Sequence, residues 1–101
     1  MPNRLDLQTK LEELLGNRNV YYNPPASIKM NYDAIRYSKK RIDAKYANDK
    51  RYKNLTCYEI IVISRKPDHP VVEKLLDLPY SSYDRTYVAD NLYHDVLTLY
   101  Y

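Results

Sequence analysis

The sequence predicts an α+β fold: a largely antiparallel sheet of four to five strands with two helices packed on one face, in the order α-β-β-β-α-β-β. Three observations lead there. Two stretches carry apolar residues at helical spacing, Leu7–Leu11–Leu14–Leu15 and Val71–Val72–Leu75–Leu76. Short runs rich in β-branched and aromatic residues lie between and after them. Strands that come in runs, rather than alternating with helices, favour α+β over a parallel α/β sheet. At 101 residues the chain is a single domain, large enough to bury a core without disulfides or metals.

The first helix is expected over residues 4–15, because its four leucines form one stripe. Gly16, the only glycine in the chain, follows directly and suits a helix C-cap. A short extended segment, Asn19-Val20-Tyr21-Tyr22, is stopped by Pro24-Pro25. Asp33–Tyr37 reads as the next strand, with Ala34 and Ile35 inward or at the centre. Leu55–Ser64 is the strongest strand, with branched residues on both faces; its Glu59 is expected at an edge or an exposed position. Lys66–Pro70 is a turn. Asp68 is the expected cap of a second helix, with Pro70 in its first turn and Leu78-Pro79 closing it. Two strands finish the chain, Tyr83–Val88 and Leu92–Tyr101, joined by the turn pair Asp90-Asn91. In the last, Leu97, Leu99 and Tyr101 share one face, and Val96, Thr98 and Tyr100 the other.

Charge is unevenly placed. Residues 39–53 hold seven basic and two acidic side chains, a local charge of +5, while the whole chain is +3, so the remainder is −2. This stretch reads as a basic loop or extended hairpin tip. The aromatic inventory is equally lopsided: 13 tyrosines with no phenylalanine or tryptophan. So many hydroxyls cannot all be buried with partners, so many of the rings are expected at the margin of the domain, where they suit interfaces.

The chemistry-bearing residues are sparse. His69, His94 and the lone Cys57 are far apart in sequence, without metal-ligand spacing. Cys57 lies mid-strand and reads as a small buried apolar residue. One glycine cannot build a phosphate-cradling loop. Asp84 with Asp90 or Asp95 could pair for acid–base work, but carboxylates beside turns are usually solvated. No catalytic residue, metal or cofactor is expected, and the chain is not expected to be an enzyme. Nucleic-acid binding is a stronger rival: basic residues interleave with Tyr46 and Tyr52, as in stacking grooves. The longest apolar run, Ile60–Ile63, is too short to span a bilayer. No leader is expected, because the N-terminal residues run straight into the helix; the protein reads as soluble and made in a cytoplasm.

The closing stretch, YDRTYVADNLYHDVLTLYY (83–101), resembles the C-terminal signature of short head–tail joining and tail proteins of tailed bacteriophages. The resemblance rests on Tyr83-Asp84-Arg85, Ala89-Asp90-Asn91-Leu92, His94 and Tyr100-Tyr101. Earlier blocks are similar too: VYYNPPASIKMNYDAIRY (20–37), DAKYAND (43–49) and VISRKPD (62–68). The pattern covers most of the chain in order. It departs where Asp33 replaces a usual proline, where tyrosines replace phenylalanines, and where Arg65 shifts the turn.

The resemblance implies a structural virion protein, and in particular a tail terminator. Such a protein would form a ring, commonly of six subunits, that caps the tail tube, stops its polymerisation and offers a docking surface to the head connector. Its implied partners are copies of itself, the tail tube protein, the head–tail connector or head-closure protein, and DNA passing through the lumen, without any membrane. Its implied location is the neck or tail of the virion, assembled in the bacterial host cytoplasm. A head-closure or connector role is the near alternative, and a nucleic-acid-binding module using residues 39–53 the more distant one. On this reading the interface candidates are Arg36, Lys39, Lys40, Arg41, Lys45, Tyr46, Lys50, Arg51, Tyr52, Tyr100 and Tyr101. Asp84, Arg85, Asp90, Asn91 and His94 form a structural motif, with Asp84–Arg85 and Asp90–His94 pairs fixing the last hairpin.

Overall fold

A computed structural model describes residues 3–41 and 56–101. The elements run α1 (Arg4–Leu15), β1 (Val20–Tyr22), β2 (Ala34–Arg41), β3 (Cys57–Ser64), α2 (Pro70–Leu76), β4 (Ser81–Ala89) and β5 (Leu92–Tyr100). The class is α+β, with one five-stranded sheet in the order β1-β2-β3-β5-β4. The sheet is mixed. β2–β3, β3–β5 and β5–β4 are antiparallel, but β1 runs parallel to β2. Parallel neighbours need a crossover. Residues 23–33, with Pro24-Pro25 near their start, supply it.

α1 begins at a reciprocal cap. The Asp6 backbone N–H donates to the Asn3 side chain at 3.0 Å, and the Asn3 N–H donates back to Asp6 at 3.3 Å. Gly16 ends the helix in the left-handed region at φ 87, its N–H bonded to the Glu12 carbonyl at 2.9 Å. α2 begins differently from expectation. Its cap is His69, whose Nδ1 accepts from the Val71 N–H at 3.1 Å, while Asp68 sits one residue earlier at φ 59. An imidazole nitrogen reaches the same orphan donor that an aspartate oxygen would.

β3 is the central strand and sorts the core. Its Tyr58, Ile60 and Val62 join a cluster with Leu7 and Leu11 of α1 and Val71 and Leu75 of α2. Its Ile61 and Ile63 face the other way, clustered with Val96 and covered by Met30, Tyr32 and Leu92. Glu59 is therefore central rather than at an edge, and is half-buried. Cys57 is buried as expected, and so is the alternation along β5: Leu97 and Leu99 belong to the helix-side cluster, Tyr101 packs against it, and Val96 faces away.

Tyrosine takes phenylalanine's place in the core at two positions, Tyr37 and Tyr58, both buried. Tyr37 keeps its hydroxyl satisfied by donating to Gln8 Oε1 at 2.6 Å. The Gln8 amide in turn donates to the Val20 carbonyl at 3.0 Å, so one side chain ties α1 to β1 and β2. Tyr22 packs against Tyr37 with ring centroids 5.0 Å apart and planes tilted by 57°, and Arg4 lies 4.3 Å above the Tyr22 ring.

Burial pushes the Tyr37 and Tyr58 hydroxyls above the ordinary 10.0, and Tyr83 is raised chiefly by its hydrogen bond to the Asp95 carboxylate. The fold thus favours the neutral phenol at all three. Their stabilisation is complete below about pH 10 and is lost as pH rises through the raised values. The urea midpoint is expected to hold level to about pH 9 and fall beyond about pH 10. Tyr37→Phe should flatten that fall; an identical fall in the variant would remove Tyr37 from the account.

Candidate assembly surface

The closing hairpin is built on its turn. Asp90 and Asn91 lie at φ 54 and φ 61, so both central residues of the two-residue loop are left-handed. That is the twist which joins antiparallel strands, and Asp and Asn tolerate it better than most residues. The motif residues then point to known places. His94 makes a 3.0 Å hydrogen bond through Nδ1 to the Leu92 carbonyl and stacks on Tyr87, centroids 4.6 Å apart and planes 13° from parallel. Arg85 lies 5.9 Å over the same Tyr87 ring. Asp84 accepts from the Thr98 hydroxyl at 2.8 Å. Asp84 and Arg85 thus spend their contacts on Thr98 and Tyr87, and His94 on Leu92 and Tyr87.

The register also keeps Cys57 and His94 apart. Cys57 pairs with Tyr100 and Ile63 with His94, so Cys57 and His94 are six residues apart along the ladder, about 20 Å. Asp95 is on the helix side, in line with Leu97, while His94 shares the opposite side with Val96. Among the described residues, no group of three His, Cys, Asp or Glu side chains could hold a metal ion. No helix among them is long and apolar enough to cross a membrane.

β4 is the unusual element. It is a terminal strand of the sheet, and every residue from Ser82 to Val88 is exposed, so it is open on both faces as well as along its edge. It carries Tyr83, Tyr87 and Val88 at 43%, 38% and 64% exposure. A bulge at Asp84 separates the pairs Tyr83–Leu97 and Arg85–Val96. The Tyr100 N–H bonds to the Tyr80 carbonyl, so even-numbered residues of β5 point their backbone groups at β4. Their partners beyond the bulge, Arg85, Tyr87 and Ala89, point inward. Thr86 and Val88 therefore turn their N–H and C=O groups outward, unpaired by strands among the described residues.

On the helix side of β4, two contiguous clefts of about 450 Å³ and 370 Å³ share Asp68, Tyr83 and Asp95. Pro70, Val72 and Leu76 of α2 form the far wall of the larger. Asp95 is buried, with Tyr83 donating to its Oδ1 at 2.8 Å. His69 holds the adjoining corner, its Nε2 3.6 Å from Asp33 Oδ2.

The predicted interface residues are dispersed. Lys39, Lys40 and Arg41 were expected in a loop but end strand β2, where Lys39 pairs with Tyr58 and Arg41 with Cys57. Backbone pairing is indifferent to charge where side chains stay solvated, and Lys39 and Lys40 are exposed. Arg36 is exposed on the helix-free face, one strand from Ile61. Lys45, Tyr46, Lys50, Arg51 and Tyr52 lie outside the described residues. Tyr101 packs on its own core, and Tyr100, on the opposite side, is half-buried. The outward edge at Thr86 and Val88 was missed; seven consecutive exposed positions in a β-rich run leave no buried face to read. Comparisons with protein-family models, curated proteins and solved structures find no match for this chain.

Proposed function

We propose that the chain is a structural virion protein of a tailed phage, the tail terminator, forming a closed ring at the head-proximal end of the tail tube. The reading rests on the resemblance of residues 20–101. The single structural observation that supports it is β4: a nine-residue edge strand, exposed on both faces and carrying tyrosines. Exposed edges of this kind are templates for pairing with another chain unless something covers them. A ring needs a heterologous contact, one surface on each flank of the subunit, with a rotation that closes. β4 supplies one flank, and β1 with the end of β2 lies on the other. β4 runs antiparallel to β1 and β2, so a neighbour's edge could continue the sheet in antiparallel register. The finer arrangement of a neck protein, two helices backing a sheet whose edges meet neighbours, belongs to the same proposal. A head-closure or connector ring would use the same edges and differ in what it caps.

The test is negative-stain imaging with native mass, on the chain alone and with purified tail tubes. Closed rings, free or on one tube end, are expected. A chain that stays monomeric and ignores tube ends would sink the reading, while rings that bind portal complexes and not tubes would move it to the connector.

A second reading draws on Arg36 and Arg85, which flank the Ile61–Val96 row of the helix-free face beside the Tyr87–His94 stack. Cations around stacked rings suit a single strand of nucleic acid. It requires DNA affinity that falls steeply with salt. Affinity that is flat in salt, or unchanged when Arg36 and Arg85 become alanine, speaks against it.

A further inference from the structure

We propose that the groove between β4 and α2 receives the cationic segment 39–53 of a second copy of this chain. The inference rests on the ring reading for its partner and adds what one subunit places on the next.

The groove is one-signed. Asp68 and Asp95 line both clefts and Glu73 lines the larger, while no lysine or arginine lines either among the described residues. Its α2 wall is apolar at Val72 and Leu76. That combination fits lysine and arginine side chains, whose aliphatic stems lie on apolar surface while their heads reach carboxylates. Its open margin is the β4 edge, where Thr86 and Val88 offer outward backbone groups to an added chain, the usual way an edge strand gains affinity for a segment.

The occupant is chosen by charge. The chain's cations are concentrated at 39–53, a local +5 against −2 for the remainder. The same stretch interleaves Tyr46 and Tyr52, which suit half-covered sites beside exposed Tyr83. The segment's described residues, Lys39 to Arg41, end β2 toward one edge of the sheet, and the groove lies beside β4 at the other. A basic segment that begins on one flank and an acidic groove on the other would make a head-to-tail contact, the kind that closes rings and that a twofold pair would leave unsatisfied.

The test makes two measurements on the full chain: sedimentation across concentration, and the anisotropy of a labelled synthetic peptide of residues 39–53. A peptide with its cations replaced by glutamine is the control. Binding is expected to saturate, to weaken with salt, and to fall about fivefold in Asp68→Asn/Glu73→Gln. Asn keeps the left-handed backbone at residue 68, so the variant's melting temperature should match the native chain. The variant should also sediment as smaller species. A peptide that never saturates, or that binds the variant or the control sequence equally well, overturns the groove assignment whatever the sedimentation shows. A native chain that binds the peptide yet stays monomeric, with purified tail tubes present as well as alone, overturns the ring, and the second copy with it, but not the groove's preference for that segment.

Discussion

Ile60→Ala is expected to lower stability by about 2–5 kcal/mol, the largest loss predicted for this chain. Ile60 is 1% exposed at the middle of the central strand, with Tyr37 beside it on β2 and Leu97 on β5. It belongs to the cluster that holds both helices to the sheet, so the cavity would open where three layers of contact meet and the backbone is least free to collapse. Ile61→Ala makes the matched comparison. Among the described residues its cluster contains two other buried residues, Ile63 and Val96, and is covered by Met30 and Tyr32 of the crossover and by Leu92. Its cost should fall toward the low end of the same range. Urea denaturation of the two variants measures the difference; equal losses would show that the crossover face is as tightly built as the helix face.

Val88→Pro is expected to abolish self-association while leaving the subunit folded. Val88 is 64% exposed, and its N–H points away from β5, so proline removes no bond of the β4–β5 ladder. It does remove a donor from the outer edge and places a ring where a neighbouring strand would lie. Loss of an edge pairing centred there should weaken association by at least about thirtyfold, the threshold for an interface hot spot. Tyr87→Pro is the control: its N–H points inward, so it should unfold the hairpin instead. Sedimentation and far-UV dichroism separate the two results. A Val88→Pro chain that assembles like the native one would exclude the β4 edge as the interface.

Much of the fold was legible because its signals are local. The stripe Leu7–Leu11–Leu14–Leu15 and Gly16 place α1 as observed, at Arg4–Leu15. The branched run of β3 and the turn pair Asp90-Asn91 mark the sheet's centre and last hairpin. What escaped depends on distant partners. Nothing in Val20-Tyr21-Tyr22 says that it will pair in parallel with Ile35–Tyr37. Lys39, Lys40 and Arg41 look like a loop until Tyr58 and Cys57 pair with them. His69 caps α2 because its ring nitrogen lies at the right height, which composition cannot show. The candidate surface was harder still. Asp68, Glu73 and Asp95 come from a turn, a helix and a strand, and only the fold gathers them beside β4.

The alternation of inward and outward amides along β4 also makes this strand its own gauge of assembly. In an isolated subunit, the amide hydrogens of Thr86 and Val88 face water and should exchange with solvent deuterium quickly. Those of Arg85, Tyr87 and Ala89 are held against β5 and should exchange slowly. The strand would carry an every-other-residue exchange pattern that a neighbour's edge erases by protecting the fast half. Occupancy of the edge could then be counted one amide at a time, without a label.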